Sequence, residues 1–166
     1  MAQVTLHGSP INTSGDLPAV GSKAPDFQLV DGELNDVKLS DFRGKKKLLS
    51  IVPSLDTPTC ATSTKVFNER LGGRDDVVVL VVSADLPFAQ GRFCAAEGTA
   101  DVKTLSMMRS RNFAKDYGML IVDGPLAGIT ARAALVLDET DTVLHAELVG
   151  EIGDEPDYDA AIAALG

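Results

Sequence analysis

Two residues in this sequence carry nucleophilic or redox chemistry of their own, Cys60 and Cys94. The surroundings of Cys60 are specific. An apolar run ends at Pro53, a short loop follows, and Thr57 and Pro58 precede the cysteine by three and two positions. Threonine is a good helix N-cap, and proline is tolerated at the first helical position because its missing N–H would be unpaired there anyway. The expected helix therefore starts just before Cys60 and puts the thiol in its first turn. Unpaired N–H groups and the positive end of the helix dipole stabilise an anion at that point, which favours the thiolate, the nucleophilic form. A lone cysteine is also a common small core residue. Position alone leaves the nucleophile and the inert core residue on an equal footing.

Other chemistries lack their residues. No CxxC exists and the histidines are two, His7 and His145, so the usual zinc patterns fail. Two cysteines are too few for a disulfide-scaffolded secreted domain. Gly44-Lys45 lacks the rest of a phosphate-binding loop. Lys45-Lys46-Lys47 reads as a solvated turn before a buried strand, Arg92 as a helix-surface charge, and Met107-Met108 as packing.

The elements that must hold Cys60 and Cys94 follow from periodicity. Val4 to His7 alternates and Gly8-Ser9-Pro10 turns, which predicts a small N-terminal hairpin. Strands are expected over 24–30 and 37–39. Lys47 to Pro53 is an apolar run of strand length, followed by a helix from Thr59 to Leu71 that Gly72-Gly73 stops. Val77 to Ser83, β-branched and apolar on both faces, reads as a central parallel strand. Asp85-Leu86-Pro87 starts a second helix, which carries Cys94 well inside it and ends near Gly98. Short elements are expected at 102–105 (strand) and 112–117 (helix). Ala133–Leu137 and Val143–Leu148 form a late hairpin, and Asp157 to Leu165 a closing amphipathic helix. Strand–helix alternation followed by a hairpin makes an α/β protein. The arrangement expected is thioredoxin-like: a mixed central sheet, flanking helices and an N-terminal β-hairpin extension within about residues 1–20, all in one domain spanning 1–166.

Bulk properties narrow the partners. The chain has 166 residues, 45% of them apolar, with 15 basic and 24 acidic residues for a net charge of −9. Polyanions are repelled by such a surface, so nucleic acid and anionic membranes are not expected partners. No apolar run approaches the ~20 residues that span a bilayer. Met1 to His7 has neither the basic start nor the apolar stretch of a signal peptide, and the expected location is the cytoplasm.

Longer motifs add a resemblance. Pro53-Ser54-Leu55-Asp56-Thr57-Pro58-Thr59-Cys60 carries the Pro-x-x-x-Thr-x-x-Cys pattern of the peroxiredoxins. The segment from Ser83 to Cys94 closely resembles the second-cysteine helix of the bacterial thiol peroxidases, an atypical two-cysteine branch of that family. Asp123-Gly124-Pro125-Leu126, Ala131-Arg132-Ala133 and Glu155-Pro156-Asp157-Tyr158 continue the match over nearly the whole chain.

The resemblance implies roles for individual residues. Cys60 would be the peroxidatic cysteine, attacking the terminal oxygen of a hydroperoxide. Thr57 would hydrogen-bond the peroxide and the sulfur, and Pro53 would shield the thiolate. Arg132, which could otherwise pair with a surface carboxylate, would hold Cys60 as thiolate and position the peroxide. Cys94 would resolve the Cys60 sulfenic acid as an intramolecular disulfide, with the helix around it unwinding locally. Thioredoxin or a similar dithiol would return the electrons, with no metal, haem or flavin, inside each subunit of a homodimer. The competing expectation is a redox-sensing binding protein switched by the Cys60–Cys94 disulfide.

Overall fold

The computed structural model describes all 166 residues. In chain order the elements are β1 (Gln3–Leu6), β2 (Ser9–Asn12), β3 (Gln28–Val30), β4 (Asp36–Lys38), a 3₁₀ turn at Leu39–Phe42, β5 (Lys46–Ile51), α1 (Pro58–Leu71), β6 (Val77–Ser83), α2 (Pro87–Glu97), β7 (Lys103–Ser106), α3 (Asn112–Asp116), β8 (Ala133–Leu137), β9 (Val143–Leu148) and α4 (Tyr158–Leu165). Seven strands form one mixed sheet in the order β4-β3-β7-β6-β5-β8-β9, and β1 and β2 form a separate hairpin. This is the thioredoxin-like α/β arrangement expected from the sequence.

The sheet is parallel at its centre, where β5, β6 and β7 are joined by α1 and α2, and antiparallel beyond it on both sides. The two crossovers step the same way across the sheet, and right-handed connections then put α1 and α2 on one face. Strand alternation divides the core accordingly. Leu48, Val79, Val81 and Val136 point to the face of α1 and α4, with Phe67, Leu71, Ala161 and Leu165. Leu49, Ile51, Leu80, Val82 and Leu135 point the other way, toward Phe27, Phe113 and Tyr117. A sheet covered on both faces explains why the central strands are apolar throughout.

Several expectations are corrected. The hairpin turns at His7-Gly8, both with positive φ (51° and 82°), and Pro10 lies in β2. Proline is tolerated there because β2 is an exposed edge. The strand expected over 24–30 shortens to Gln28–Val30, since the Ala24 amide donates to Asp141 and the Phe27 amide to its neighbour Asp26. Helix α1 stops at Gly72 without a left-handed residue. There a Cβ would come within 2.5 Å of the Asn68 carbonyl, so close approach is what requires glycine.

Lys47 is the largest departure. It is fully buried, and its Nζ lies 2.5 Å from Asp141 Oδ1. The run of three lysines is therefore not a solvated turn. Lys46 and Lys47 both belong to β5, and Lys47 carries its charge into the interior, where only a carboxylate partner makes burial tolerable.

Candidate active site

Register brings the site together. Parallel strands β5 and β6 end side by side, Ile51 beside Val82. Antiparallel β8 begins where β5 ends, with Ala133 opposite Ile51, and β9 ends there too, with Leu148 opposite Ala133. The segment entering β8, the segment leaving β9 and the loop from Val52 to Thr57 therefore meet at one edge of the sheet. Open α/β sheets bind ligands at this carboxyl end of their parallel strands.

Helix α1 starts as expected, with Thr57 in the extended N-cap conformation and Pro58 at the first helical position. The capping itself differs. The exposed Thr57 hydroxyl donates to the Ser54 carbonyl at 2.9 Å and makes no cap bond into the helix. Cys60 is fully buried in the first turn, on the inward stripe it shares with Ser63, Thr64, Phe67 and Leu71. Hydroxyls of Ser63 and Thr64 donate to its carbonyl at 3.1 and 2.8 Å, which ties the turn to the helix behind it. Pro53 is buried at the end of β5.

Arg132, the residue before β8, is 3% exposed. Its Nε donates to the Ile152 carbonyl at 3.0 Å and its Nη1 donates to Cys60 Sγ at 3.2 Å. Both partners are informative. A guanidinium is always charged, and a buried charge needs compensation. A carbonyl and a sulfur hold it rather than a carboxylate, and only the sulfur can carry a negative charge. The geometry makes Arg132 and Cys60 a buried pair in direct contact.

Cys94 is half-buried and lies in the last turn of α2, nearer the helix end than expected. Both cysteines are free thiols. Cys60 is closed off in the interior, whereas Cys94 reaches a surface cleft. Ala89, Arg92, Phe93 and Ala96 line a groove of about 570 Å³ against Ser54 and Leu55, beside the Cys60 loop. Cys94 lines a smaller cleft of about 230 Å³ with Gly91, Thr99 and Val102, on the neighbouring flank of the helix. Arg92 is exposed, as expected for a surface charge.

Sequence reasoning missed the group that joins these parts. Asp85 accepts from the Ser54 hydroxyl (2.7 Å), the Leu55 amide (2.8 Å) and the Ser83 hydroxyl (2.7 Å). Gln90, fully buried on α2, donates to Ser83 Oγ at 3.0 Å and to the Leu105 carbonyl at 2.9 Å. The Cys60 loop, the end of β6 and α2 thus share one hydrogen-bonded cluster. A carboxylate just past the carboxyl end of a central parallel strand is the signal by which it could have been found. Tyr158 packs edge-on against Phe67 at 5.1 Å, and burial together with the Glu155 carboxylate pushes its phenol up, so the ring stays neutral.

Comparison with known proteins agrees with this geometry. A family model described as redoxin matches residues 19–162. A thiol peroxidase of Mycobacterium tuberculosis is 54% identical over 166 residues, covering 100% of this chain and 99% of the relative. One from Leptospira interrogans is 51% identical, covering 99% of this chain and 97% of its own. A solved peroxiredoxin-like protein from Aquifex aeolicus superposes with a TM-score of 0.93 at 40% identity, covering 99% and 96% of the two chains. Likeness at half of all positions, running end to end and shared by the fold, leaves one assignment: the chain belongs to the redoxin family, among its thiol peroxidases.

Proposed function

We propose that this protein is a thiol-dependent peroxidase that reduces hydrogen peroxide and organic hydroperoxides through Cys60 and Cys94. The observation that carries the reading is the buried Arg132 Nη1 at 3.2 Å from Cys60 Sγ in the first turn of α1.

The cycle has three balanced steps. The Cys60 thiolate attacks the terminal oxygen of the hydroperoxide; an S–O bond forms, the O–O bond breaks, and the departing oxygen takes a proton to leave as alcohol or water. Cys60 is then a sulfenic acid. The Cys94 thiol condenses with it, forming the disulfide and releasing water. An external dithiol, thioredoxin or a similar donor, reduces the disulfide and returns both thiols. The cycle uses no metal, haem or flavin.

A more anionic sulfur does not by itself make a fast nucleophile, because nucleophilicity falls as a thiol becomes more acidic. Rate comes from fixed donors aimed where charge develops. Arg132 supplies one. Thr57 supplies another by rotating its hydroxyl from the Ser54 carbonyl toward the peroxide, and Pro53 keeps water from the sulfur.

Resolution requires α2 to open. Only Pro87 and Gln90 are buried along it, Gly91 weakens its middle, and Gly98 ends it in the left-handed conformation with φ 68°. Amides of Gly98 and Thr99 both bond the Cys94 carbonyl, so fraying the last turn frees the residue that must move. Two supporting expectations complete the reading, a homodimer with catalysis complete in each subunit and a cytoplasmic site of action. No helix is long and apolar enough to cross a membrane.

The test is peroxide-dependent NADPH oxidation with thioredoxin and its reductase. Wild type should turn over many equivalents, Cys60→Ser none, and Cys94→Ser little or none. Stoichiometric disulfide formation without turnover, with thioredoxin and with other dithiol donors alike, would overturn the enzymatic reading in favour of a redox sensor.

A further inference from the structure

The hairpin β1–β2 is separate from the main sheet, yet it is bonded to two segments, to Val122 and Asp123 through Asn12 and to Gly150–Gly153 through Thr5 and the His7-Gly8 turn. The Thr5 amide donates to the Gly150 carbonyl at 2.7 Å, and the Ile152 amide donates to the Thr5 carbonyl at 2.9 Å. Between them projects the Glu151 carboxylate. It accepts from the Thr5 hydroxyl, from the His7 amide at 2.8 Å and from the Gly8 amide at 3.2 Å. The left-handed His7-Gly8 turn aims both amides at the carboxylate. His7 is not a glycine, so its positive φ is held at a cost that these bonds offset. Four donors, the Thr5 hydroxyl and the amides of His7, Gly8 and Gly153, hold the Glu151 carboxyl down at about 2 with no paired cation.

The other side of this segment faces the reacting sulfur. The Ile152 carbonyl accepts from Arg132 Nε at 3.0 Å, and the Gly153 carbonyl accepts from the Thr59 hydroxyl at 2.8 Å. The backbone of Arg132 is tied to the residue just before this stretch, since the Val149 amide donates to its carbonyl at 3.0 Å. A guanidinium is planar and rigid, so fixing Nε fixes the direction of Nη1. The carbonyl that aims Arg132 at Cys60 thus lies in a four-residue stretch outside the main sheet, and the hairpin grips that stretch from behind.

We propose that Glu151 is a positioning residue: by binding the His7-Gly8 turn it clamps the hairpin to residues 150–153, and this brace sets the angle at which Arg132 meets Cys60 and the peroxide. The proposal rests on the peroxidase reading for its kinetic consequence, but its geometric consequence is independent of turnover. Glu151→Gln is the natural variant. The amide has nearly the same shape, yet it replaces one acceptor oxygen by a donor that must face an N–H or O–H group.

The experiment measures two things in reduced protein. One is the second-order rate of Cys60 oxidation by hydrogen peroxide, in Arg132 and Arg132→Lys backgrounds. The other is solvent exchange of the Arg132 Nε–H by NMR. Glu151→Gln should slow peroxide oxidation about tenfold, since misplacement by a fraction of an ångström to an ångström costs up to ~10². It should have no further effect once Arg132 is lysine, because coupled residues are not additive. Arg132 Nε–H exchange should accelerate at least about tenfold. Thr5→Val, which removes one donor and leaves the carboxylate, should move both readings the same way by less, and it serves if the glutamine variant does not fold. An equal rate loss in both backgrounds, or a lowered melting temperature with unchanged rate and unchanged exchange, would reduce the hairpin to a core cover and overturn the proposal. A wild type that does not react with peroxide would overturn the peroxidase reading instead, and the exchange measurement would still decide the brace.

Discussion

Replacing Arg132 by glutamine separates what this residue does for the sulfur from what it does for the peroxide. The guanidinium is 3% exposed and donates to Cys60 Sγ and to the Ile152 carbonyl. A hydrogen bond to a charged group contributes about 1.5–3 kcal/mol. Every nucleophilic reaction of Cys60 loses that support for negative charge, so alkylation by iodoacetamide should slow by roughly tenfold, the lower end of that range at 1.36 kcal/mol per decade. Peroxide cleavage loses more. A donor fixed where charge develops on the departing oxygen is worth about 10²–10³ in rate. Hydrogen peroxide should therefore react about 10²–10³-fold more slowly, and the peroxide-to-iodoacetamide rate ratio should fall by at least about tenfold.

The assay is stopped-flow oxidation and timed alkylation of the same reduced protein in a Cys94→Ser background, with oxidised and alkylated Cys60 counted by mass. An equal fall in both rates would mean that Arg132 acts on the sulfur alone. An unchanged peroxide rate would remove Arg132 from the chemistry, despite its contact. The variant also leaves the Ile152 carbonyl short of a donor, at a cost of about 1–3 kcal/mol in stability. The measurements therefore belong well below its melting temperature.

Other perturbations read other parts of the molecule. Gly91→Ala has open space for its methyl and should stabilise α2 by about 0.5–1 kcal/mol, slowing Cys60–Cys94 disulfide formation about two- to five-fold without touching the peroxide step. Quench-flow mass analysis checks this, and an unchanged resolving rate would mean that α2 does not unwind. Lys47→Met leaves Asp141 buried without its main partner and should cost about 3–5 kcal/mol in urea unfolding while peroxide reactivity is retained, because Lys47 sits at the far end of β5 from Cys60. Glu151 titrates at about 2 in the fold, below its ordinary 4.5. Its contribution to stability is therefore fully present above pH 4.5 and lost as pH falls toward 2. In urea titrations the gap between wild type and Glu151→Gln should close over that interval, and a gap independent of pH would refute the assignment.

Local signals were legible where local physics decides. The helix start at Pro58 follows from the Thr57-Pro58 pair, and the strand Val77–Ser83 from its β-branched apolar run. What the sequence could not show is pairing between distant segments. Lys47 looks solvated until Asp141, which follows β8 in the chain, is seen beside it. Thr57 reads as a cap, yet the nearer Ser54 carbonyl takes its hydroxyl. Arg132 was legible through motif resemblance alone, since nothing near it in sequence points to a sulfur 72 positions away. Glu151 had no signal at all, because its donors lie at the opposite end of the chain.

The two cysteines sit on consecutive helices of the same sheet face, and the difference in how those helices are held suits what the proposed cycle asks of each. Helix α1 buries five side chains and has its first turn tied to Arg132, to Gly153 through Thr59, and to its own Ser63 and Thr64 hydroxyls. A nucleophile that must meet donors within a fraction of an ångström needs that rigidity. Helix α2 buries two side chains, Pro87 and Gln90, both toward its N-terminal half. Its start is fixed by Gln90 and by the Asp85 cluster, while the turn carrying Cys94 has no buried anchor. Opening can therefore run from the C-terminal end up to Gln90 and stop there, moving Cys94 without releasing Ser54 and Leu55 beside the Cys60 loop. Had the buried glutamine stood at position 94 or beyond, freeing the second cysteine would have broken the cluster that shapes the first cysteine's loop. Resolution and peroxide attack could then not proceed on one scaffold without disturbing each other.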